Sequence, residues 1–311
     1  MVVNTPAGLT GIYARDEEEV WLVGEDPPNS SESQALIMLY TAGRIEEKYR
    51  LAERGSTFYD IDFYGDTGWA AGDINVAGNY AGLLFKYEGG SWSRVSNVPE
   101  TRWGFYKVSA YSRDGCWLKG GYEVFRYDRG TWTRFGDFPN ARDVAFSSPS
   151  RGFITTDLGP YIWVFDGARW VREDVVLPPG FSTTGLADIA PIPGGVLFTC
   201  SLRQEGLSDF YYSAILRRDL APPGEGDYEL VFFAPPGPYF YYISALSFAD
   251  AENGVAVGYL TSVVCENGVY YEEIVTRPFG TPFAVAALAA GDYWMLSKAE
   301  GVGHFLARYK K

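Results

Sequence analysis

Three stretches decide how this chain is read: FKYEGGSWSRVSNVP at 85–99, FRYDRGTWTRFGDFP at 125–139, and VFDGARWVREDVVLP at 164–178. In each, an alternating run carrying aromatics meets a glycine turn, a tryptophan follows, and the unit closes at proline. Alternation with period two on both flanks marks strands rather than helix. Each stretch therefore reads as a short β-hairpin. Glycine supplies the positive φ of the turn, tryptophan packs on the following strand, and proline ends the pairing.

Working outward, the same order of pieces recurs on the amino-terminal side of these hairpins. An alternating strand such as Phe58-Tyr59-Asp60-Ile61-Asp62-Phe63 comes first. A second strand follows with an apolar residue, small residues and often glycine: VWLVGE from Val20, GWAAGD from Gly68, CWLKGG from Cys116, GVAVGY from Gly254. First strands fall near Leu9, Phe58, Phe105, Ala141, Leu186, Ile243 and Phe283, at spacings of 36 to 57 residues. Seven units of roughly 44 residues with four strands each have the size of propeller blades. The fold class expected is all-β: a seven-bladed β-propeller of four-stranded antiparallel blades in one domain, 1–311. The blades span approximately 8–51, 57–99, 104–139, 141–178, 185–235, 241–279, and 282–311 plus 1–6. The seventh unit runs out of chain after FAVAALAA, YWMLSK and HFLARY. MVVNTP at 1–6 reads like SRVSNVP at 93–99, so residues 1–6 are expected to supply its fourth strand, closing the ring and removing an exposed edge.

Gly68 to Gly72 with Tyr87 and Trp92, Trp117 to Gly121 with Tyr127, Asp128 and Trp132, and the weaker copy Val164 to Trp170 resemble the kelch and galactose-oxidase-like propellers. They also resemble the propellers whose blades read WAVG…YdG..W..V..P. The general pattern is similar to the assembly-factor propellers of photosynthetic membranes. The likeness is strong over roughly residues 57–178, while blades one, five, six and seven lack the Tyr…Trp hairpin. It implies a fold and not a reaction.

The 311 residues are 47% hydrophobic, 21% charged and 17% aromatic, the makeup of a globular chain with a sizeable core. A net charge of −13 works against binding phosphate backbones or anionic membrane surfaces, so no nucleic-acid partner is expected. No apolar run is long enough for a spanning helix, so no membrane insertion is expected. The one histidine, His304, excludes two-histidine zinc sites, and it reads as a structural strand residue. Cys116, Cys200 and Cys265 allow at most one internal disulfide and read as small buried hydrophobes. No metal site and no cofactor are expected. A chain starting at Met without a basic n-region suggests the cytoplasm, with a secreted protein trimmed of its signal as the alternative.

No catalytic residues stand out. The hairpins EGGSW and DRGTW lack the leading Ser-x-Asp of sialidase Asp-boxes, and there is no GxSxG elbow or phosphate loop, so the reading leans away from an enzyme. In a propeller the inter-blade loops share a face with the loops between second and third strands, and here the longer ones are EDPPNSSESQ from Glu25, GDINVAGNYAG from Gly72, LPPGFSTTG from Leu177 and APPGPYFYY from Ala234. Arg54, Arg102, Trp103, Arg142, Phe181, Tyr239, Phe240 and Tyr241 decorate the inter-blade loops. Arginine with exposed rings suits a protein partner, and the same set could stack a sugar. Ordinary pairing of the arginines with Glu53 and Glu100 is the plainer alternative. Asp60, Lys107, Asp143 and Asp188 repeat a polar position on successive first strands. They are read as a channel-lining set, with Lys107 pairing its Asp neighbours in preference to a Ca²⁺ ion held by the carboxylates. The function expected is a non-catalytic scaffold for protein–protein interaction through the loop-rich face. A carbohydrate-binding, glycoside-hydrolase or sialidase-like propeller is the alternative.

Overall fold

A computed structural model describes residues 2–5, 7–76, 78–206, 211–234, 243–258, 262–273, 281–299 and 303–311. They form seven four-stranded antiparallel sheets, the blades of a β-propeller. Strand β1 (Val2–Thr5) stands apart in sequence from the sheet it joins. The first sheet is β2 (Gly8–Ala14), β3 (Val20–Asp26), β4 (Gln34–Thr41) and β5 (Arg44–Arg50). The second is β6 (Ser56–Tyr64), β7 (Thr67–Val76), β8 (Asn79–Glu88) and β9 (Ser91–Arg94). The third is β10 (Lys107–Ser112), β11 (Gly115–Gly120), β12 (Glu123–Asp128) and β13 (Thr131–Asp137). The fourth is β14 (Ala141–Ser148), β15 (Arg151–Thr156), β16 (Tyr161–Phe165) and β17 (Trp170–Asp174). The fifth is β18 (Phe181–Ile192), β19 (Gly195–Gln204), β20 (Tyr211–Asp219) and β21 (Tyr228–Phe233). The sixth is β22 (Ile243–Phe248), β23 (Gly254–Gly258), β24 (Ser262–Glu266) and β25 (Val269–Glu273). The seventh contains β26 (Thr281–Ala289), β27 (Asp292–Ala299) and β28 (Gly303–Lys310), and its order is β1-β28-β27-β26.

The amino-terminal strand thus completes the last blade, with Val3 opposite Leu306 and Thr5 opposite His304. His304 helps to fix this junction. Its Nδ1 accepts a hydrogen bond from the Leu9 N–H at 2.7 Å, and its carbonyl accepts one from the Thr5 hydroxyl.

By internal packing the chain divides into two compact units, residues 1–139 with 299–307 and residues 140–298 with 308–311. In the first, second strands are buried on both faces: β11 throughout, and β3 over its first five residues. Among fourth strands, β9 is exposed apart from Trp92, and β13 mixes exposed and half-buried residues with none buried. Alternate residues of a buried second strand feed different cores. Ala70 joins Trp21, Ile37 and Phe85 on the side of the first sheet, while Trp69 and Ala71 join Phe105, Cys116 and Leu118 on the side of the third.

The glycines of the recurring second-strand motif have two separate causes. A Cβ on Gly68 would lie 2.5 Å from the Phe63 ring, and one on Gly115 would lie 2.4 Å from the Tyr111 ring. In the second unit Gly152 meets Phe146 and Gly254 meets Phe248 in the same way. The leading glycine therefore leaves room for the aromatic of the first strand to lie across the hairpin. At the other end of the motif, a Cβ on Gly72 would sit 2.0 Å from the Thr57 carbonyl oxygen, and Gly24 and Gly120 are crossed by main chain likewise.

The three diagnostic hairpins share one geometry. Tyr87 faces Trp92, Tyr127 faces Trp132 and Phe165 faces Trp170 in register. The ring centroids lie 5.2, 5.0 and 5.2 Å apart. The tryptophan packs back on the aromatic of the preceding strand, where the sequence reading had it on the following one. The reason is that directly opposed residues on one face of a hairpin are nearest neighbours.

First strands are tied to their neighbours by side chains that bond main chain. Asp60 accepts the Val108 N–H at 3.0 Å and Asp62 the Ala110 N–H at 2.8 Å. In the second unit Asp143 accepts from Ile189 at 3.3 Å, Asp188 from Leu246 at 2.7 Å, and the Ser247 hydroxyl from Ala287 at 3.1 Å. Lys107, whose side chain carries no acceptor, stands outside this pattern, whereas Asp60, Asp143 and Asp188, together with Asp62 and Ser247, are latches between consecutive sheets. Each satisfies an N–H that the neighbouring strand's own ladder leaves open. The second unit adds a buried ion pair between its first two sheets. Arg218, with a fully buried side chain, donates to Glu173 at 2.6 and 2.7 Å and caps the carbonyls of Asp219, Ala221 and Pro222. Glu173 also accepts from the Gly224 N–H and the Tyr228 hydroxyl.

A groove and an aromatic shelf as candidate functional site

In the first unit the long loop after β3 and the β7–β8 hairpin border a groove of about 520 Å³. Its floor is built by β6 and β7. Thr57 stands opposite Asp73, and a bulge between Phe58 and Asp60 leaves Tyr59 without a register partner. An extra residue in a strand re-aims its side chain. Here the Tyr59 hydroxyl reaches Asp73 Oδ2 at 3.2 Å. Across the groove Glu25, near the end of β3, accepts the Thr57 hydroxyl at 2.6 Å and the Asn29 N–H at 2.7 Å.

Asp73 is only 2% exposed. Main chain approaching β10 covers it, for a Cβ on Gly104 would lie 2.2 Å from Asp73 Cβ. The Phe105 N–H bonds the Gly72 carbonyl, which locks that approach. Burial pushes the Asp73 carboxyl up to about 7, against the hydrogen bond from Tyr59, and the charge of Glu25 adds to the rise. Burial likewise raises the Tyr59 phenol, with the neighbouring Asp73 next in importance.

Beside this groove, and sharing Gly78 and Tyr80 with it, lies a second hollow of about 550 Å³. Trp103 and Tyr80 form its shelf, with ring centroids 6.2 Å apart and planes inclined by 39°. Both rings face outward, Trp103 at 40% and Tyr80 at 36% exposure. Gly121, at the turn after β11, leaves room for the Trp103 indole, whose Cδ1 would lie 2.5 Å from a Cβ there. The Arg102 guanidinium sits 5.6 Å from the Trp103 ring centre, within cation–π range.

The residues marked in the sequence are distributed as follows. Arg102 and Trp103 are part of the shelf. Arg54 pairs with Glu32, while Glu53 is taken by Arg94. In the second unit Arg142 lies 3.8 Å from Asp157. Phe181 packs edge-on against Tyr212 and Phe233 rather than standing free. Tyr239, Phe240 and Tyr241 lie outside the described residues. Asp60, Asp143 and Asp188 engage main chain as above. Among the described residues no three His, Cys, Asp or Glu side chains gather as a metal ion would require. No described helix is long and apolar enough to cross a membrane.

Sequence reasoning missed Glu25, Tyr59, Asp73 and Tyr80 as a group. Glu25, Asp73 and Tyr80 lie within two of the loop stretches singled out for their length, so the signal was loop length without the register that brings them together.

No protein-family model matches this sequence. No curated protein matches it either. Among solved structures the chain is similar to YCF48 from Cyanidioschyzon merolae, at 13% identity and a TM-score of 0.66 over 99% of this chain and 97% of that one. It is similar to the WD40 β-propeller domain of Doa1, at 9% identity and a TM-score of 0.69 over 100% and 96%. It also resembles the β-propeller domain of Myceliophteria thermophila Cps50 (Swd1), at 8% identity and a TM-score of 0.71 over 100% and 99%. At such identities the likeness establishes the seven-bladed propeller and nothing finer. The kelch type rests on the sequence motifs alone.

Proposed function

We propose that this chain is a non-catalytic scaffold that binds a protein partner at the groove and shelf of its first unit. The observation that carries the reading is the exposed Tyr80–Trp103 pair with Arg102 against the indole. Rigid rings beside an arginine are the residue types that dominate binding energy at protein interfaces. Exposed rings in contact with one another also offer more apolar area than scattered surface aromatics do. Similarity to WD40-type propellers supports a scaffold of this kind. The hollow beside the groove gives a partner side chain somewhere to bury itself.

The test is affinity capture with the intact chain and with the double variant Tyr80→Ser/Trp103→Ser. Identification of the captured protein and a binary titration with that purified partner complete it. The expected result is at least a tenfold loss of affinity in the variant with an unchanged melting temperature. Equal affinity of the two proteins would overturn the site.

A further inference from the structure

We infer that the groove beside the shelf is a seat for a basic side chain, lysine or arginine, projecting from an extended segment of the partner, with Asp73 and Glu25 receiving its charge. This deepens the scaffold reading and rests on it. Two carboxylates line the groove, and no lysine or arginine does. Arg54, next in sequence to the groove's Gly55, pairs with Glu32, while Arg94 pairs with Glu53 and Arg50 with Glu47 and Asp26. Among the described residues Asp73 receives one hydrogen bond, from Tyr59, although a carboxylate offers about four acceptor sites. It is nevertheless almost wholly buried, which is costly for a charge without a partner.

The walls suit the rest of such a side chain. Tyr59 and Tyr80 line the same groove as the carboxylates, and a cationic head beside aromatic faces gains a further attraction. A cavity of about 520 Å³ has room for a side chain and its flanking backbone. A bare divalent ion fits less well, since Ca²⁺ takes about six to eight oxygen ligands and only two carboxylates are on offer. The chain's net charge of −13 favours a basic partner at long range as well.

The groups facing Asp73 are Thr57 and Tyr59 on β6, Glu25 on β3, and Tyr106 before β10, whose ring carries Lys119 at 5.7 Å. Burial, with the main chain at Gly104 against it, and to a lesser extent the charge of Glu25 hold the Asp73 proton on near neutral pH. A bound cation removes that penalty, so the proton leaves Asp73 as the ligand enters. Binding therefore releases protons and tightens as pH rises through 7.

The experiment is isothermal titration of the intact chain with acetyl-Gly-Arg-Gly-amide, acetyl-Gly-Lys-Gly-amide and acetyl-Gly-norleucine-Gly-amide. It is run at pH 6 and pH 8 in two buffers of different ionisation enthalpy. The basic peptides are expected to bind roughly tenfold more tightly at pH 8, with proton release, and the norleucine peptide not to bind. Asp73→Asn is expected to lose about tenfold in affinity together with the pH dependence. If that variant unfolds, Glu25→Gln at the groove's rim is expected to weaken binding in the same way. Equal binding of all three peptides, binding unaffected by pH or by either variant, or no binding up to about 10 mM would overturn the assignment. So would Asp73-dependent binding of methyl glycosides in place of the basic peptides. A captured partner that depends on Trp103 and not on Asp73 would leave the scaffold standing and remove only the basic seat.

Discussion

Asp62 and Asp73 show what burial does to single carboxyls in this protein. Burial pushes Asp62 up to about 7 against the N–H groups of Ala110 and Phe63, with the charge of Asp60 adding to the rise. Asp73 is pushed to about 7 as well. An unfolded aspartate titrates near 3.9. Between roughly pH 4 and 7 these two groups therefore hold more protons in the folded protein than in the unfolded chain, and their contribution to stability rises as pH falls through 7. Thermal unfolding is expected to show a gain on the order of 2 kcal/mol per carboxyl between pH 8 and pH 5. Asp62→Asn, whose amide oxygen can still accept from Ala110, is expected to flatten part of that slope; an unchanged slope would refute the assignment. Glu173 behaves oppositely. Burial would raise it, but the Arg218 fork, the Tyr228 hydroxyl and the Gly224 N–H hold it below the ordinary carboxylate range. Glu173→Ala would leave Arg218 buried without a counter-charge, and denaturant unfolding is expected to show a loss of about 3–5 kcal/mol. Nothing in the sequence near Glu173 or Arg218 announced this pair. They lie 45 positions apart on strands whose charged residues read as solvent-facing, since arginine and glutamate mostly are.

At the scale of elements, the recurring second strand explains itself once both glycines are given their neighbours. Gly68→Ala places a methyl carbon 2.5 Å from the Phe63 ring. The expected cost is about 1–3 kcal/mol by urea unfolding. Phe63→Leu in the same chain should relieve much of the clash, so the double variant should be less destabilised than the sum of its parts. Strict additivity would mean that the ring and the glycine are not coupled. The hairpins were legible because tryptophan, aromatic and glycine recur at fixed offsets. Blades one and six were read as departures because they lack Tyr…Trp. Their third-to-fourth-strand turns nevertheless repeat the same two-residue form. Ala42-Gly43 and Asn267-Gly268 both take positive φ at each residue, as Gly89-Gly90 and Arg129-Gly130 do. That is the turn whose twist suits a two-residue hairpin. The backbone conformation is shared where the packing residues are not, and it was the missing packing residues that set these two blades apart from the motif.

For the whole chain, the count of seven units and the borrowed fourth strand were readable, because a short last unit and an apolar start closing at proline are complementary features of one sequence. The candidate site was less so. Trp103 and Arg102 were visible as unusual loop residues. Asp73 and Glu25 were hidden among 39 acidic residues until strand register placed them on one groove. Asp60, Asp143 and Asp188 were visible too, but their partners are main-chain N–H groups of the next sheet, which no side-chain pattern reveals. The central claim is that residues at the amino terminus complete the last blade, where Val3 faces Leu306 and the Leu9 N–H bonds His304. Thermal unfolding of the chain lacking residues 1–5 tests it most directly. Loss of that strand exposes the β28 edge and is expected to lower the melting temperature by about 5 °C or more. A synthetic peptide of sequence VVNTP added in excess should restore part of it. A truncated chain that melts with the intact one, and ignores the peptide, would contradict the account.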